Sequence, residues 1–204
     1  MDGIVTTHPN DVTIRAFSPA DETGWLRCRV LAFLSTQYYD DVWQHRPQLS
    51  EPSFGLVAVD AEQCVVGLLD VRVDGAEATI DTVAVHPDHQ DGGIATGLLD
   101  AALARLSGSG VSSLDAWTRE DPAANAWYRR MGFTEQDRYL HVHLSDGDDA
   151  DGFVTPPGFS NPVSAFVHVG IEREAEVRSR FARVYVCRQY QRDLHVPSSA
   201  TPAG

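Results

Sequence analysis

The sequence predicts an α/β fold built around one mixed sheet, and three observations carry that expectation. Residues 54–59, 65–73 and 78–85 are β-rich runs separated by the turn sequences Asp60-Ala61-Glu62-Gln63 and Asp74-Gly75, which reads as an antiparallel meander. From residue 78 onward strand, helix, strand and helix alternate, a succession that adds a parallel pair to the meander. The chain has 204 residues, 43% of them apolar, which suffices for one hydrophobic core and not for two full-sized domains.

The elements follow in order. Residues 12–17 alternate as a first strand. Ser18-Pro19-Ala20-Asp21 is a turn, and Asp21 stands where a side-chain cap opens a helix running to about Leu34. Residues 35–52, polar and aromatic, read as loops around a short helix. After the meander, His86-Pro87 and Gly92-Gly93 lead into a helix. Its apolar stripe is Ile94, Leu98, Leu99, Ala102, Leu103 and Leu106, and Ser107-Gly108 closes it. Residues 111–117 form the next strand. Asp121-Pro122 then opens a helix that ends at Gly132, with Pro at the first position and Gly past the last. On that helix Asp121, Asn125, Tyr128 and Gly132 share one face, while Ala124, Trp127 and Met131 form the apolar one. A strand at 138–144, an acidic loop at 145–152, a strand at 163–171, a charged helix at 172–181 and a strand at 183–190 complete the pattern, with 197–204 as a frayed tail. The expectation is a single domain over 1–196, with its core at 12–144 and a strand–helix–strand extension at 145–192. The helix at 172–181 is either an insertion between the last two strands or an element that builds a homodimer or a wall of the substrate site.

Charge narrows the partners. The formal net charge is −13, all sixteen basic side chains are Arg, and Asp outnumbers Glu twenty to nine. Nucleic acid and anionic membranes call for a basic face, so neither is expected as a partner. The Lys-free, acidic composition matches a halophilic protein in a salt-rich cytoplasm. A GC-rich genome also replaces Lys by Arg but does not by itself produce the charge. No apolar run approaches 18 residues, and residues 1–10 lack the basic and apolar regions of a secretory signal, so a cytoplasmic location is expected. Cys28, Cys64 and Cys187 are odd in number and widely spaced, which argues against a disulfide framework or a cysteine zinc site.

The segment with chemical content is Val83-Ala84-Val85-His86-Pro87-Asp88-His89-Gln90-Asp91-Gly92-Gly93-Ile94-Ala95. A strand ends, a loop with two glycines follows, and the loop runs directly into a helix. Backbone N–H groups at such a helix start, with the helix dipole behind them, form an anion cradle, and missing Cβ atoms let the anion approach. The G-x-G-x-x-G order is absent and no Gly-Lys-Ser/Thr follows, so neither a Rossmann fingerprint nor a Walker A loop is present.

Gln90-x-x-Gly93-x-Ala95 resembles the Q/R-x-x-G-x-G/A signature of the GNAT superfamily of N-acetyltransferases, and the preceding Val-Ala-Val-His-Pro is similar to that superfamily too. About thirty residues on, Ala124-Asn125-Ala126-Trp127-Tyr128-Arg129-Arg130-Met131-Gly132-Phe133 looks like its second signature, A-x-x-x-Y-x-x-x-G-F. The opening Ile14-Arg15-Ala16-Phe17-Ser18-Pro19-Ala20-Asp21 is similar to its first strand and turn, so the resemblance spans roughly residues 12–144. It implies a GNAT-like acyl-CoA N-acyltransferase fold, a twisted mixed sheet flanked by helices whose fourth and fifth strands (78–85 and 111–117) splay apart around acetyl-CoA. The main chain of Val83, Ala84 and Val85 would bind the pantetheine arm. The amides of Gln90, Asp91, Gly92, Gly93, Ile94, Ala95 and Thr96 would wrap the pyrophosphate. Tyr128 would lie by the sulfur as general acid for the departing thiolate. Many relatives have Asn where Asp121 stands, so Asn125, one turn along, is the alternative coenzyme contact.

The resemblance further implies an acetyl-CoA-dependent N-acetyltransferase in which a primary amine, on a small molecule or a peptide, attacks the thioester directly in a ternary complex. A non-catalytic acyl-CoA-binding module on the same fold is the alternative. The amine must lose a proton, and the carboxylates on the strand leading into Val83 are Glu77 and Asp81, with Thr79 where some relatives carry Glu; Asp81 is the candidate base. Residues 22–52, with Tyr38, Tyr39, Trp43 and His45, and the C-terminal strands are expected to line the acceptor's pocket. No metal is expected. His141-x-His143 pairs two imidazoles on one strand face without a third ligand at suitable spacing, and the loop from Asp146 has Ala150 and Pro157 where a calcium loop needs ligands.

Overall fold

The structure, a computed structural model, describes residues 6–8, 12–145, 147–148 and 150–194. The 197–204 tail and residues 1–5, 9 and 10 of the segment without a secretory pattern lie outside them. The chain divides into two compact units, Met1–Ala116 with Gln191–Gly204, and Trp117–Tyr190. The boundary inside the expected 1–196 domain therefore falls at 116/117 and 190/191.

In the first unit β1 (Thr6–His8), β2 (Val12–Ala16), β3 (Phe54–Val59), β4 (Val65–Asp74), β5 (Glu77–Val85) and β6 (Ser113–Thr118, of which 113–116 belong here) follow one another across the sheet. The pairs from β1 to β5 are antiparallel, and β5 with β6 is parallel, as the alternation of strand and helix requires. Helices α1 (Glu22–Phe33) and α2 (Ile94–Leu106) take opposite faces. Trp25, Cys28 and Ala32 of α1 pack with Val57, Leu68 and Ala84. On the other face a Cβ at Gly67 would come within 2.7 Å of Ile94, so this glycine lets α2 sit close.

Residues 35–52 form turns, and among the described residues they contain no helix, contrary to the short one expected. Side chains from elsewhere hold them. Arg29 of α1, 2% exposed, donates to the carbonyl of Asp41 (2.5 Å) and to its carboxylate (2.6 Å). Its guanidinium lies 3.6 Å over Trp43, which stacks on Trp25 at 5.9 Å. Arg46 donates to both oxygens of Asp70 on β4 (2.6 and 3.1 Å) and covers Phe17 at 3.9 Å. Burial lowers the pKa of Arg29, and it raises that of Asp70 in spite of Arg46. Asp21 does not cap α1 with its side chain, as expected of it. It accepts two hydrogen bonds from Arg15 (2.8 Å each) and the Ser18 N–H (2.8 Å), closing the turn before the helix.

The second unit holds α3 (Pro122–Arg130), β7 (Thr134–Leu144), β8 (Ala165–Gly170), α4 (Glu174–Arg180) and β9 (Arg183–Asp193, of which 183–190 belong here), with strand order β9-β7-β8. β8 and α4 stand in the chain between two strands that are neighbours in the sheet. Leu140, Val142, Leu144, Val184 and Val186 meet Val177 and Phe181 on one sheet face. β7 begins at Thr134 and not at 138, because Thr134-Glu135-Gln136-Asp137-Arg138 is exposed throughout and shows no alternation to read. The helix expected at 172–181 is a 3-10 turn (Ile171–Arg173) followed by α4, and β9 runs past residue 190. On α3 the deeply buried face is Asn125 and Tyr128; Ala124, Trp127 and Met131, expected to form the buried side, are half-buried.

The Asp21 carboxyl, held down to about 2 by Arg15 and Ser18, gives a pH test of the turn. A carboxyl whose folded pKa is depressed stabilises above its unfolded value of about 4, and that contribution disappears as the pH falls to about 2. Urea unfolding between these values should show the wild type losing on the order of 1–2 kcal/mol more than Asp21→Asn.

Candidate functional site

β4 and β5 pair from Asp74↔Glu77 to Gly67↔Val85 with one break in register: Val71 faces Ile80 while Asp70 faces Thr82. Asp81 is therefore the extra residue of a β-bulge, which sharpens the strand's twist and re-aims its side chain. On the other edge, the parallel ladder with β6 runs from Glu77↔Ser113 to Ile80↔Ala116, and β5 continues to Val85. Val83 and Val85 are half-buried in this second half of the strand, and Ala84, 6% exposed, packs under α1.

Beyond Val85 the chain makes a 3-10 turn (Pro87–His89) in which His86 Nδ1 accepts the N–H of Asp88 (3.2 Å). Gln90 donates its side-chain amide to the carbonyl of Val85 (3.2 Å), tying the loop to the strand end. Asp91 and Gly93 adopt positive φ, 61° and 80°. Gly93 is the N-cap of α2 in the left-handed conformation, and its carbonyl accepts the N–H of Gly97 (3.0 Å). A Cβ in that conformation costs about 1–2 kcal/mol, which is why glycine stands there. A glycine N-cap also brings no side-chain acceptor. The N–H groups of the first turn, through Ile94, Ala95 and Thr96, have no carbonyl four residues back within the helix, and the positive end of the helix dipole lies at this turn. Ile94, 2% exposed, is buried in the core, fixing where the turn begins. Gln90, Asp91, Gly92, Gly93, Ile94, Ala95 and Thr96 thus occupy one short loop and helix start, in which the Gln90 N–H donates to the Pro87 carbonyl (3.4 Å).

Asp81 is exposed at the residue level and is engaged by Arg72, whose Nε and Nη2 both donate to its Oδ2 (3.0 and 2.5 Å). Asp70, two strand positions from Arg72, is the buried carboxylate of the same region, with both oxygens held by Arg46. Sequence reading passed over Asp70 and Arg46, because a lone acid inside an apolar strand carries no periodic signal. Of the aromatic residues expected to line an acceptor pocket, Trp43 is packed into the first unit's core, Tyr38 tilts against Phe33 at 5.4 Å, Tyr39 is 50% exposed, and His45 lies 3.9 Å from Glu22.

In the second unit Asp121 caps α3, accepting the N–H of Ala124 (2.8 Å). Asn125, 5% exposed, donates to the carbonyls of Arg119 (2.9 Å) and Asp121 (2.6 Å), and its Oδ1 accepts the hydroxyl of Tyr190 (2.8 Å). Both N–H groups and one lone pair of that amide serve the chain itself, which leaves a ligand a single lone pair. Tyr128, 4% exposed, stacks on Tyr190 at 5.4 Å and 9°, with Trp127 and Phe133 against its edges. Tyr190, whose pKa burial raises, has no local sequence signal, because its hydrogen-bond partner Asn125 lies 65 residues away. His141, 9% exposed, accepts from Arg119 Nε at Nδ1 (3.1 Å), and its Nε2 lies 3.1 Å from the Tyr139 hydroxyl. A metal pair with His143 would require one of those nitrogens.

The model of the Acetyltransferase (GNAT) family matches residues 21–133. The mycothiol acetyltransferase of Clavibacter michiganensis subsp. michiganensis is 28% identical over 134 residues, 62% of this chain and 44% of that protein. The chain thus spans less than half the length of that relative. Among solved structures, the ribosomal-protein-S18-alanine N-acetyltransferase from Escherichia coli superposes with a TM-score of 0.60 at 15% identity, covering 93% of this chain and 98% of that one. The yncA protein of Salmonella typhimurium, solved with its cofactor acetyl-CoA, gives a TM-score of 0.56 at 18% identity over 94% and 99% of the two chains. At these identities the structures share a fold with this chain.

The Tyr190 hydroxyl holds Asn125, so Tyr190→Phe leaves a buried carbonyl oxygen short of a donor. Chemical denaturation should show a loss of about 1–3 kcal/mol with the m-value unchanged, whereas Tyr190→Ala also removes the ring under Tyr128 and should cost about 3–5 kcal/mol.

Proposed function

The chain belongs to the acetyltransferase (GNAT) family, and from that premise we propose that it transfers the acetyl group of acetyl-CoA to a primary amine by direct attack. The observation that supports this most is the start of α2, where a left-handed Gly93 without a side-chain cap follows a strand and a loop tied by Gln90. A pyrophosphate carries two adjacent anionic groups, and a helix start with a glycine cap accepts such groups on its N–H donors. In this reading the main chain of Val83, Ala84 and Val85 accompanies the pantetheine arm, and the amides of residues 90–96 receive the pyrophosphate.

The amine nitrogen attacks the thioester carbonyl carbon, the C–S bond breaks, and the departing thiolate takes a proton from the hydroxyl of Tyr128. The proton of the attacking ammonium goes to a carboxylate, for which Asp81 in the bulge is our candidate, its direction fixed by Arg72. Asn125 acts as a positioning residue, holding α3 through Tyr190. The acceptor of the curated relative is not carried over to this chain, because the two match over less than half of that protein. Composition extends the proposal to the setting: with 29 acidic side chains against 16 arginines, the protein is suited to a salt-rich cytoplasm.

Tyr128→Phe should lower kcat by about 100-fold or more while calorimetry finds the Kd for coenzyme A within threefold. Asp81→Asn should flatten the acidic limb of the kcat profile, and an unchanged profile removes Asp81 as the base. If coenzyme A binds but no amine in a broad panel is acetylated, the chain is an acyl-CoA-binding module instead. In a second experiment KCl is raised from 0.1 M to about 2 M, shortening the Debye length from about 10 Å to below 3 Å. Coenzyme affinity should hold or rise, since screening removes the repulsion of the acidic chain more than it weakens the amide contacts, and a steep loss would refute the salt reading.

A further inference from the structure

In the first unit, the sheet face that carries α1 changes character along β4 and β5. Leu68, Asp70 and Arg72 are alternate residues of β4 and share that face. Their register partners on β5 are Ala84, Thr82 and Thr79. Leu68 and Ala84 pack under α1 with Trp25 and Cys28. Asp70 and Thr82 are buried, and both oxygens of Asp70 are taken up by Arg46, whose side chain is 8% exposed. Arg72 is open. Its side chain is 59% exposed and reaches Asp81, 27% exposed, the extra residue of the bulge. One strand further, Asp115 of β6 stands across from Thr79.

Stability does not account for this pair. β4 and β5 are inner strands of the first unit, an exposed ion pair adds little, and a bulge interrupts the ladder that holds it. Its hydrogen bonding is also incomplete in a specific way. A guanidinium and a carboxylate in full register exchange two parallel bonds, one to each oxygen. Here Nε and Nη2 of Arg72 both donate to Oδ2 of Asp81. Among the described residues, Oδ1 of Asp81 and Nη1 of Arg72 have no partner. The pair is neutral as a whole, so what remains open is an anionic acceptor beside a cationic donor. Their order runs across the sheet: the guanidinium belongs to β4, the carboxylates of Asp81 and Asp115 to β5 and β6, strands about 4.8 Å apart. An ammonium alone would meet Asp81 but lie beside Arg72, and a carboxylate alone would have the reverse difficulty. A molecule that carries both charges satisfies both groups. Because Arg72 and Asp81 touch, its charges must lie close together, as they do across the single carbon between them in an α-amino acid. The amine end then lies on β5, where Val83 follows Asp81 by two residues.

We propose that the open side of the Arg72–Asp81 pair binds the acceptor, and that the acceptor is an α-amino acid with its ammonium on Asp81 and its carboxylate on Arg72. The inference rests on the acetyltransferase reading and names the substrate class for it, with Arg72 as the residue that selects that class.

The experiment uses the full chain, acetyl-CoA and a panel of the common L-amino acids, each beside its carboxamide, which keeps the amine and side chain and loses the negative charge. For the best amino acid, kcat/KM should exceed that of its carboxamide about tenfold or more, mostly through KM. Arg72→Gln should bring the ratio to within about twofold of unity, while Arg72→Lys, which keeps the charge without the fork, retains part of the preference. An arginine that only holds Asp81 in place would lower both substrates together in Arg72→Gln and leave their ratio standing, and that result overturns the proposal. Equal kcat/KM for acid and carboxamide in the wild type overturns it too, as does acetylation of other amines but of no amino acid. If no amine is acetylated, the acetyltransferase reading fails by itself, and calorimetry with the same panel decides the subsite. An amino acid that binds the wild type about tenfold more tightly than its carboxamide, and Arg72→Gln without that difference, supports it. No such difference in the wild type removes it.

Discussion

The structure turns on β5, a strand hydrogen-bonded to β4 from Glu77 to Val85 and, within the first unit, to β6 from Glu77↔Ser113 to Ile80↔Ala116. Backbone N–H and C=O groups at a strand edge seek partners, and natural sheets cover or blunt such edges. Here the bulge at Asp81 turns the strand, and the chain after Val85 folds back through Gln90 onto the strand's last carbonyl. The helix start at Gly93 follows within one loop.

Much of this was legible in the sequence because it depends on short-range pattern. The meander, the parallel succession and the stripe of α2 follow from periodicity and turn residues, and Gly93 and Tyr128 from their spacing in two motifs. What escaped depends on partners distant in the chain. The 35–52 segment, polar and aromatic, carries no helical period and is organised by Arg29 and Arg46, whose carboxylates lie on the segment and on β4. The hydrogen bond between Asn125 and Tyr190 has no local signal, because Tyr190 arrives from β9. The division into two units was likewise invisible, since no change in composition marks residue 116.

The site residues also differ in how firmly their surroundings fix them. Tyr128 is enclosed by three aromatic rings, an enclosure that restricts its rotamers. Asp81 is exposed on a bulge and answers to a single arginine.

Arg29, Arg46 and Arg119 show that the chain places guanidinium groups inside the protein as well as on its surface. Every basic side chain in the sequence is of this type, and a guanidinium keeps its proton at any physiological pH. A protonated nitrogen has no lone pair with which to attack a thioester. The sequence therefore carries no side-chain amine that an activated acyl donor could modify. Self-acetylation of side chains, the natural side reaction of an enzyme that holds an acyl donor beside its own surface, has no lysine substrate in this sequence.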